Sequence, residues 1–260
     1  MILRRVIKHV RNQEWTAIAI DFLIVVVGVF VGLQVSNWNA AVEEGARAAV
    51  YSERLRGEVQ AEYEYAHALV DYHVSLSHAT DEAYRGLSQT VQMDDETILI
   101  NAFRASQYNW YERRRSTFDE IVASGSLALI TDKPLRDAAN GIYGTPLFGI
   151  IQSEGQVSAF RELFRMAIEP ELHDELSRNC GDKEYESSGE AVGLLTLDYD
   201  CTISASAEEM AEGVRALRSD PAILKALRLR NAQVDGRITD LVTTVEIFGV
   251  NEMFSDKFAP

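Results

Sequence analysis

The stretch from Trp15 to Val35 limits this chain more than any other feature. It is 21 residues long, and Asp21 and Gln34 are its only strongly polar members. Between Phe22 and Leu33 there is no polar side chain at all. At about 1.5 Å per residue, a helix of this length measures roughly 31 Å, the thickness of a bilayer's hydrocarbon core. Trp15 and Trp38 bracket it as interfacial aromatics do. Arg4, Arg5, Lys8 and Arg11 precede it, opposed only by Glu14. A basic flank is retained in the cytoplasm, so the remaining chain is expected on the far side of the membrane. The expected organisation is a basic cytoplasmic tail over 1–14, a transmembrane helix over 15–38 and a periplasmic helical domain over 39–260.

A cleaved signal peptide would need a shorter apolar region with small residues at a cleavage site just beyond it. After Leu33 the chain reads Gln-Val-Ser-Asn-Trp-Asn-Ala-Ala, and Ala46-Arg47-Ala48 lies too far downstream. A retained anchor is therefore expected. Leu241 to Val250 is interrupted by Thr243, Thr244 and Glu246, so the chain crosses once.

The formal net charge is −15, and the first 14 residues contribute +3, so the rest carries −18. That excludes nucleic acid as a natural partner and disfavours anionic headgroups. Cys180 and Cys201 are the two cysteines, both on the expected outer side. An oxidising compartment makes them a disulfide. A metal site is the alternative, but two thiols are too few ligands and no His lies between them.

The domain reads as all-α. Leu55, Val59, Ala66, Leu69, Leu76, Ala83 and Leu87 follow a three-four spacing, with Glu62, His73 and Thr80 as polar members of the same seam. This predicts an amphipathic helix that could continue from the membrane span. A second helix, capped by Asp94 or Asp95, should run through Ile98, Phe103 and Tyr108. Arg113 to Arg136 reads as helix, tight turn, helix. Thr117 and Glu120 have capping-box spacing, Gly125 supplies a left-handed stop, and Leu127, Leu129 and Ile130 plug a core. Thr131 or Asp132 then caps a helix with Pro134 in its first turn.

Gly141, Gly144, Pro146 and Gly149 should break or kink the next stretch. Helicity resumes through Val157, Phe160, Leu163, Phe164 and Ile168. Cys180 to Cys201 reads as a stapled loop with room for a short hairpin. Asp220-Pro221 opens a last helix whose Leu224, Leu227, Asn231, Val234, Ile238, Leu241, Val245 and Phe248 make a coiled-coil-like seam. The seam between Ala48 and Leu87 is its expected mate, with another protomer as the alternative. The expected architecture is thus one N-terminal transmembrane helix followed by an elongated extracytoplasmic helical bundle with a disulfide-stapled loop.

Two motifs resemble a bacterial family of unknown function. The anchor stretch that ends at Asn39 matches the pattern V-V-x-G-V-x-x-G-x-Q-x-x-N-W-N. Arg115 to Arg136 matches R-x-T-[FY]-x-E-[IL]-x-x-S-G-x-L-x-L-I-x-D-x-x-L-R. Cys180-Gly181 and the later Asp-Pro resemble the family's proteobacterial branch. The chain departs from the pattern at Gly144 to Gly149, where the family's helix is less interrupted. The resemblance implies a mostly helical extracytoplasmic domain on a single anchor and brings no catalytic residues with it.

Within the anchor, Ala17, Asp21, Gly28 and Gly32 share a helical face. Gly28-x-x-x-Gly32 lets two backbones approach closely, and Asp21 can bond a partner helix. The expected contact is another transmembrane helix, from a second copy or a partner subunit, within the lipid bilayer. Arg113, Arg114 and Arg115 could hold an anion or a partner's carboxylates, although pairing with Asp119, Glu120 or another helix is the commoner fate of such a run.

His67, His73 and His78 share a helix at spacings that do not converge on a metal. Glu184, Glu186, Glu190, Asp198 and Asp200 lack a glycine-punctuated calcium loop. Ser124-Gly125-Ser126 lacks the context of a nucleophile elbow. No phosphate loop, dinucleotide fingerprint or HExxH occurs. No cofactor and no enzymatic activity are expected. An accessory or structural subunit of a membrane complex comes first, a periplasmic ligand-binding or sensory module second, and an unrecognised periplasmic enzyme third.

The charge bias gives a direct expectation for topology. Alkaline phosphatase fused after residue 100 should be active. A fusion active only with a cytoplasmic reporter at that point would reverse the orientation.

Overall fold

A computed structural model describes residues 15–185 and 193–247. Nine helices run through the described residues: α1 (Trp15–Leu87), α2 (Asp95–Ala105), α3 (Ser116–Ala123), α4 (Lys133–Gly144), α5 (Leu147–Gln156), α6 (Ala159–Ala167), α7 (Pro170–Cys180), α8 (Ala207–Ser219) and α9 (Pro221–Ile247). A 3-10 turn at Ser126–Leu129 joins α3 to α4. The only strands among the described residues, β1 (Lys183–Tyr185) and β2 (Leu194–Thr196), pair antiparallel, with Glu184 opposite Leu195. The chain divides into one unit up to Tyr51 and another from Ser52.

In the first unit, every side chain from Ala19 to Arg47 is exposed. The most apolar 18-residue window of α1 has a mean hydropathy of 2.6, and none of it is buried. Apolar surface left to water costs about 25 cal/mol per Å². The length and composition of this segment fit a membrane anchor, whose surroundings would remove that cost.

In the second unit, α1 is the central element. All ten seam positions from Leu55 to Leu87 are buried, including Glu62, His73 and Thr80. Each polar one has an answer to burial. Thr80 Oγ1 donates to Leu76 O at 2.6 Å. His73 Nδ1 lies 2.8 Å from Leu69 O, the geometry of a neutral imidazole donating its proton to a carbonyl. Glu62 is met by Arg113 and the backbone of Arg114.

One core gathers Ala83 and Leu87 of α1, Ile98, Leu99 and Phe103 of α2, Phe160 and Phe164 of α6, Leu176 of α7, Leu217 of α8 and Leu227 of α9. Gly213 on α8 permits a close approach there: a Cβ would stand 2.8 Å from Leu172 Cδ2 and 3.2 Å from Leu99 Cδ2. A second cluster joins Tyr72 and Leu76 of α1 to Val234 of α9 and Leu197. Ser77 Oγ adds a 2.6 Å bond to Asp235. The C-terminal seam therefore does meet the seam of α1 within one chain. Phe248, its last expected member, lies outside the described residues. Asn231 Oδ1 is buried without a hydrogen-bond partner.

Cys180, at the end of α7, is bonded to Cys201 with a Cα–Cα distance of 5.5 Å. Closing a loop of 21 residues' separation constrains the unfolded chain by about 3 kcal/mol in the entropy model. The expected hairpin lies within this loop. Arg104 Nη2 donates to Tyr199 O at 2.6 Å and lies 3.4 Å from Cys201 Sγ, pinning the loop's far end to α2.

Several expected boundaries move. Helix α2 stops at Ala105, so Tyr108 is in a loop; Ser106 N–H closes the end on Phe103 O. Gly141 and Gly149 lie inside helices, since an interior glycine costs only about 1 kcal/mol. The break falls at Thr145, held extended at ψ 134° by the following Pro146. Val157 ends α5 and is exposed, and the next helix starts after Ser158. Of Leu127, Leu129 and Ile130, only Ile130 is fully buried.

Burial, with Arg230 and Arg237 adding repulsion and the bond to Leu69 opposing them, holds the His73 imidazole down at about 4. Its contribution to stability is complete above the unfolded value near 6.5 and is lost as pH falls towards 4. Burial of Glu62 raises its carboxyl, so that group acts in the opposite sense. A comparison isolates His73. Between pH 7 and pH 5 the wild type should lose about 2 kcal/mol more than His73→Gln, read from urea midpoints. Equal losses would mean that His73 is protonated in the fold.

Candidate functional site

The Arg113–Arg136 motif is fastened to α1 by four polar side chains of that helix. Arg54 pairs with Glu120 at 3.1 Å, and Arg56 with Asp132 at 2.5 Å. Glu58 accepts from Thr117 N at 2.7 Å, Phe118 N at 3.2 Å and Ser116 Oγ at 2.9 Å. Glu62 accepts from Arg113 Nε and from Arg114 N, both at 2.8 Å. Arg54, Glu58 and Glu62 lie on successive turns of α1, so one helical face presents a guanidinium group and then two carboxylates, while Arg56 reaches Asp132 from another side of the helix.

This arrangement corrects the expected capping box. The residue ahead of α3 is Arg115, with no side-chain cap. Its free N–H groups are taken by Glu58 from α1, 59 residues earlier in the chain for Thr117. A carboxylate at a helix N-terminus satisfies orphan donors and complements the dipole. Glu120 is instead turned towards Arg54. Gly125 does take the left-handed conformation, φ 68°, and Asp132 does cap α4 through Leu135 N while also receiving Arg56.

The three arginines have different fates. Arg113 crosses over the Tyr143 and Phe148 rings, at 5.2 and 4.8 Å from their centroids, and donates to Ile142 O at 2.8 Å. Its partner Glu62 is wholly buried. Desolvation raises the Glu62 carboxyl more than Arg113 and the Arg114 N–H lower it. The Tyr111 hydroxyl faces the same carboxylate but completes no hydrogen bond. Arg114 O accepts from Tyr143 Oη at 2.6 Å. Arg115 makes an exposed pair with Asp119 at 2.8 Å. Internal pairing therefore engages Arg113 and Arg115, and Arg114 borders a cavity.

That cavity is a cleft of about 480 Å³, and no motif or spacing in the sequence marks it. It is bordered by Tyr108, Trp110, Arg114, Arg161, Asp182 and Glu184, among others. Trp110 is 57% exposed. Arg161 lies over the Tyr108 ring at 4.7 Å and donates to Ser106 O at 2.7 Å. Asp182 accepts from Tyr72 Oη at 2.8 Å. The residue is open to solvent, yet the protein packed about its carboxyl raises that group, the Tyr72 bond opposing. The signal available was the run Tyr108-Asn109-Trp110-Tyr111, an aromatic cluster in a chain otherwise patterned for helices.

The anchor residues Asp21, Gly28 and Gly32 lie exposed on α1. A Cβ added at either glycine would meet nothing within 4 Å among the described residues. His67 and His78 are exposed, whereas His73 is in the core. Among the described residues, no group of three His, Cys, Asp or Glu side chains is placed to hold a metal ion. Glu186 and Glu190 lie outside the described residues.

No family model matches the chain, and no solved structure matches it. Transaldolases of Rhizobium leguminosarum bv. trifolii and Rhizobium etli are each 26% identical to it over 152 residues, covering 54% of this chain and 47% of theirs. The chain thus spans about half the length of these curated relatives. With identity this low and a single short hairpin among the described helices, the enzyme's name stays with those proteins.

The two kinds of arginine pair should separate in stability. Arg113→Ala leaves a carboxylate buried without its cation and should cost about 3–5 kcal/mol. Arg115→Ala removes an exposed i,i+4 pair and should cost under about 1 kcal/mol. Urea unfolding of the full-length protein, followed by circular dichroism, measures both. Equal costs would deny Glu62–Arg113 its special place.

Proposed function

We propose that the chain is a single-pass inner-membrane protein with a cytoplasmic N-terminus and a periplasmic helical interaction domain, serving as an accessory or structural subunit of a membrane complex. The observation that carries the reading is the bare face of the anchor. A Cβ at Gly28 or Gly32 would have open space around it among the described residues, and Asp21 shares their face. In lipid, helices associate through close backbone packing and polar contacts, because hydrophobicity alone does not drive them together. The partner is another transmembrane helix, from a second copy or another subunit. The Cys180–Cys201 disulfide supports an oxidising compartment for the second unit. The resemblance in the anchor and in Arg115–Arg136 points the same way.

Gly28→Leu and Gly32→Leu should release the protein from its assembly on native gels and in co-purification, with insertion and helix content unchanged. Val29→Leu, elsewhere on the helix, should migrate like wild type. Identical behaviour of all three would reduce the anchor to a tether.

A second reading, a periplasmic ligand-binding module, is favoured by the cleft beside Trp110. Its volume falls in the range of small-ligand sites, about 300–1,000 Å³. It mixes aromatic faces with charged groups of both signs.

A further inference from the structure

The cleft's lining narrows the class of ligand. Arg114 and Arg161 face Glu112, Asp182 and Glu184, so the charges nearly cancel and favour neither an anion nor a cation. Arg161 is already committed to Ser106 O and the Tyr108 ring. No metal-binding group is formed among the described residues. A purely apolar ligand would take the cleft's carboxylates and guanidinium groups out of water and offer them nothing in return.

The aromatic component points elsewhere. Tyr111 is stacked on Tyr65, with ring centroids 3.7 Å apart, and is anchored from behind. Trp110 is the large aromatic left mostly open, at 57% exposure, although indole is a costly surface to leave in water. Planar polar side chains around an exposed indole suit a ligand with one face of C–H groups and an edge of hydroxyls. The C–H face covers the ring. Vicinal hydroxyls both donate to carboxylates and accept from guanidinium, which uses both signs of charge without needing a charged ligand.

We propose that the cleft bordered by Tyr108, Trp110, Arg114, Asp182 and Glu184 binds a neutral oligosaccharide, with Trp110 as its stacking platform. The proposal rests on the ligand-binding reading of this cleft and is independent of the subunit reading.

Trp110 can report on its own occupancy, since the only other indoles are Trp15 and Trp38. The full chain carrying Trp15→Phe and Trp38→Phe is placed in lipid nanodiscs, free of sugar-based detergent. It is titrated with the β-1,4-linked tetramer of N-acetylglucosamine and, separately, with the zwitterionic dipeptide Glu-Lys. The tetrasaccharide should give a saturable shift of Trp110 emission with a Kd below about 1 mM. Calorimetry should show affinity weakened about tenfold or more in Trp110→Ala, an exposed position whose loss leaves the thermal melt unchanged. Glu184→Gln should weaken it as well. Saturation by the dipeptide alone would overturn the saccharide while leaving a ligand site standing. Silence towards both probes would overturn the saccharide and the ligand-site reading together. Equal affinity in Trp110→Ala would overturn the stacking role and the proposal with it.

Discussion

The wholly buried carboxylate of Glu62 sets the terms for the second unit. An isolated carboxylate in such a place would cost several kcal/mol. Arg113 Nε and Arg114 N meet it, and meeting it fixes where the chain after α2 must run. Once Arg113 is committed, Thr117 and Phe118 fall within reach of Glu58, so α3 starts where a carboxylate awaits its free N–H groups. Helix α4 comes next, because Asp132 is held by Arg56 while capping Leu135. The stretch is thus positioned by polar contacts along α1, and its apolar side, Phe118, Ile121, Ile130 and Leu135, closes the core behind it. Buried polar pairs of this kind add little net stability over an apolar pair; what they contribute here is register.

That arrangement explains what could be read in the sequence and what could not. All ten positions of the three-four seam of α1 are buried, since helical period and burial are the same signal read twice, although the seam missed others such as Tyr65 and Tyr72. Gly125, Asp132 and Asp220-Pro221 were legible because each acts within a few residues of itself. Thr117–Glu120 was misread for the converse reason. Its spacing satisfies a local rule, but a stronger acceptor arrives from 59 residues away, and no local pattern encodes that arrival. Glu62 looked like an exception on an apolar seam, when its place there was the reason the motif docks.

The cleft was illegible for a different reason. Its walls come from the loop after α2, from Arg161 on α6 and from the hairpin held within the disulfide loop. These parts share no period or spacing. The glycine face of the N-terminal apolar segment was the reverse case. Ala17, Asp21, Gly28 and Gly32 share a face by simple helical geometry, and the structure adds that the two glycines have open space around them.

The two features make separate physical demands. Small residues on a lipid-facing helix are useful only when another backbone comes close, because a bilayer solvates leucine as well as glycine. An exposed indole in an aqueous cleft is useful when something apolar covers it, because water solvates it poorly. The first demand calls for a protein helix in the membrane and the second for a ligand in solution, and neither implies the other. The two proposals together, a subunit that also holds a saccharide, would satisfy both. Leucine at Gly28 or Gly32 and alanine at Trp110 should accordingly produce losses that do not overlap. A Trp110→Ala protein that left its assembly would mean the cleft is a protein contact, and the polar groups around it would then have to be matched by a partner's side chains.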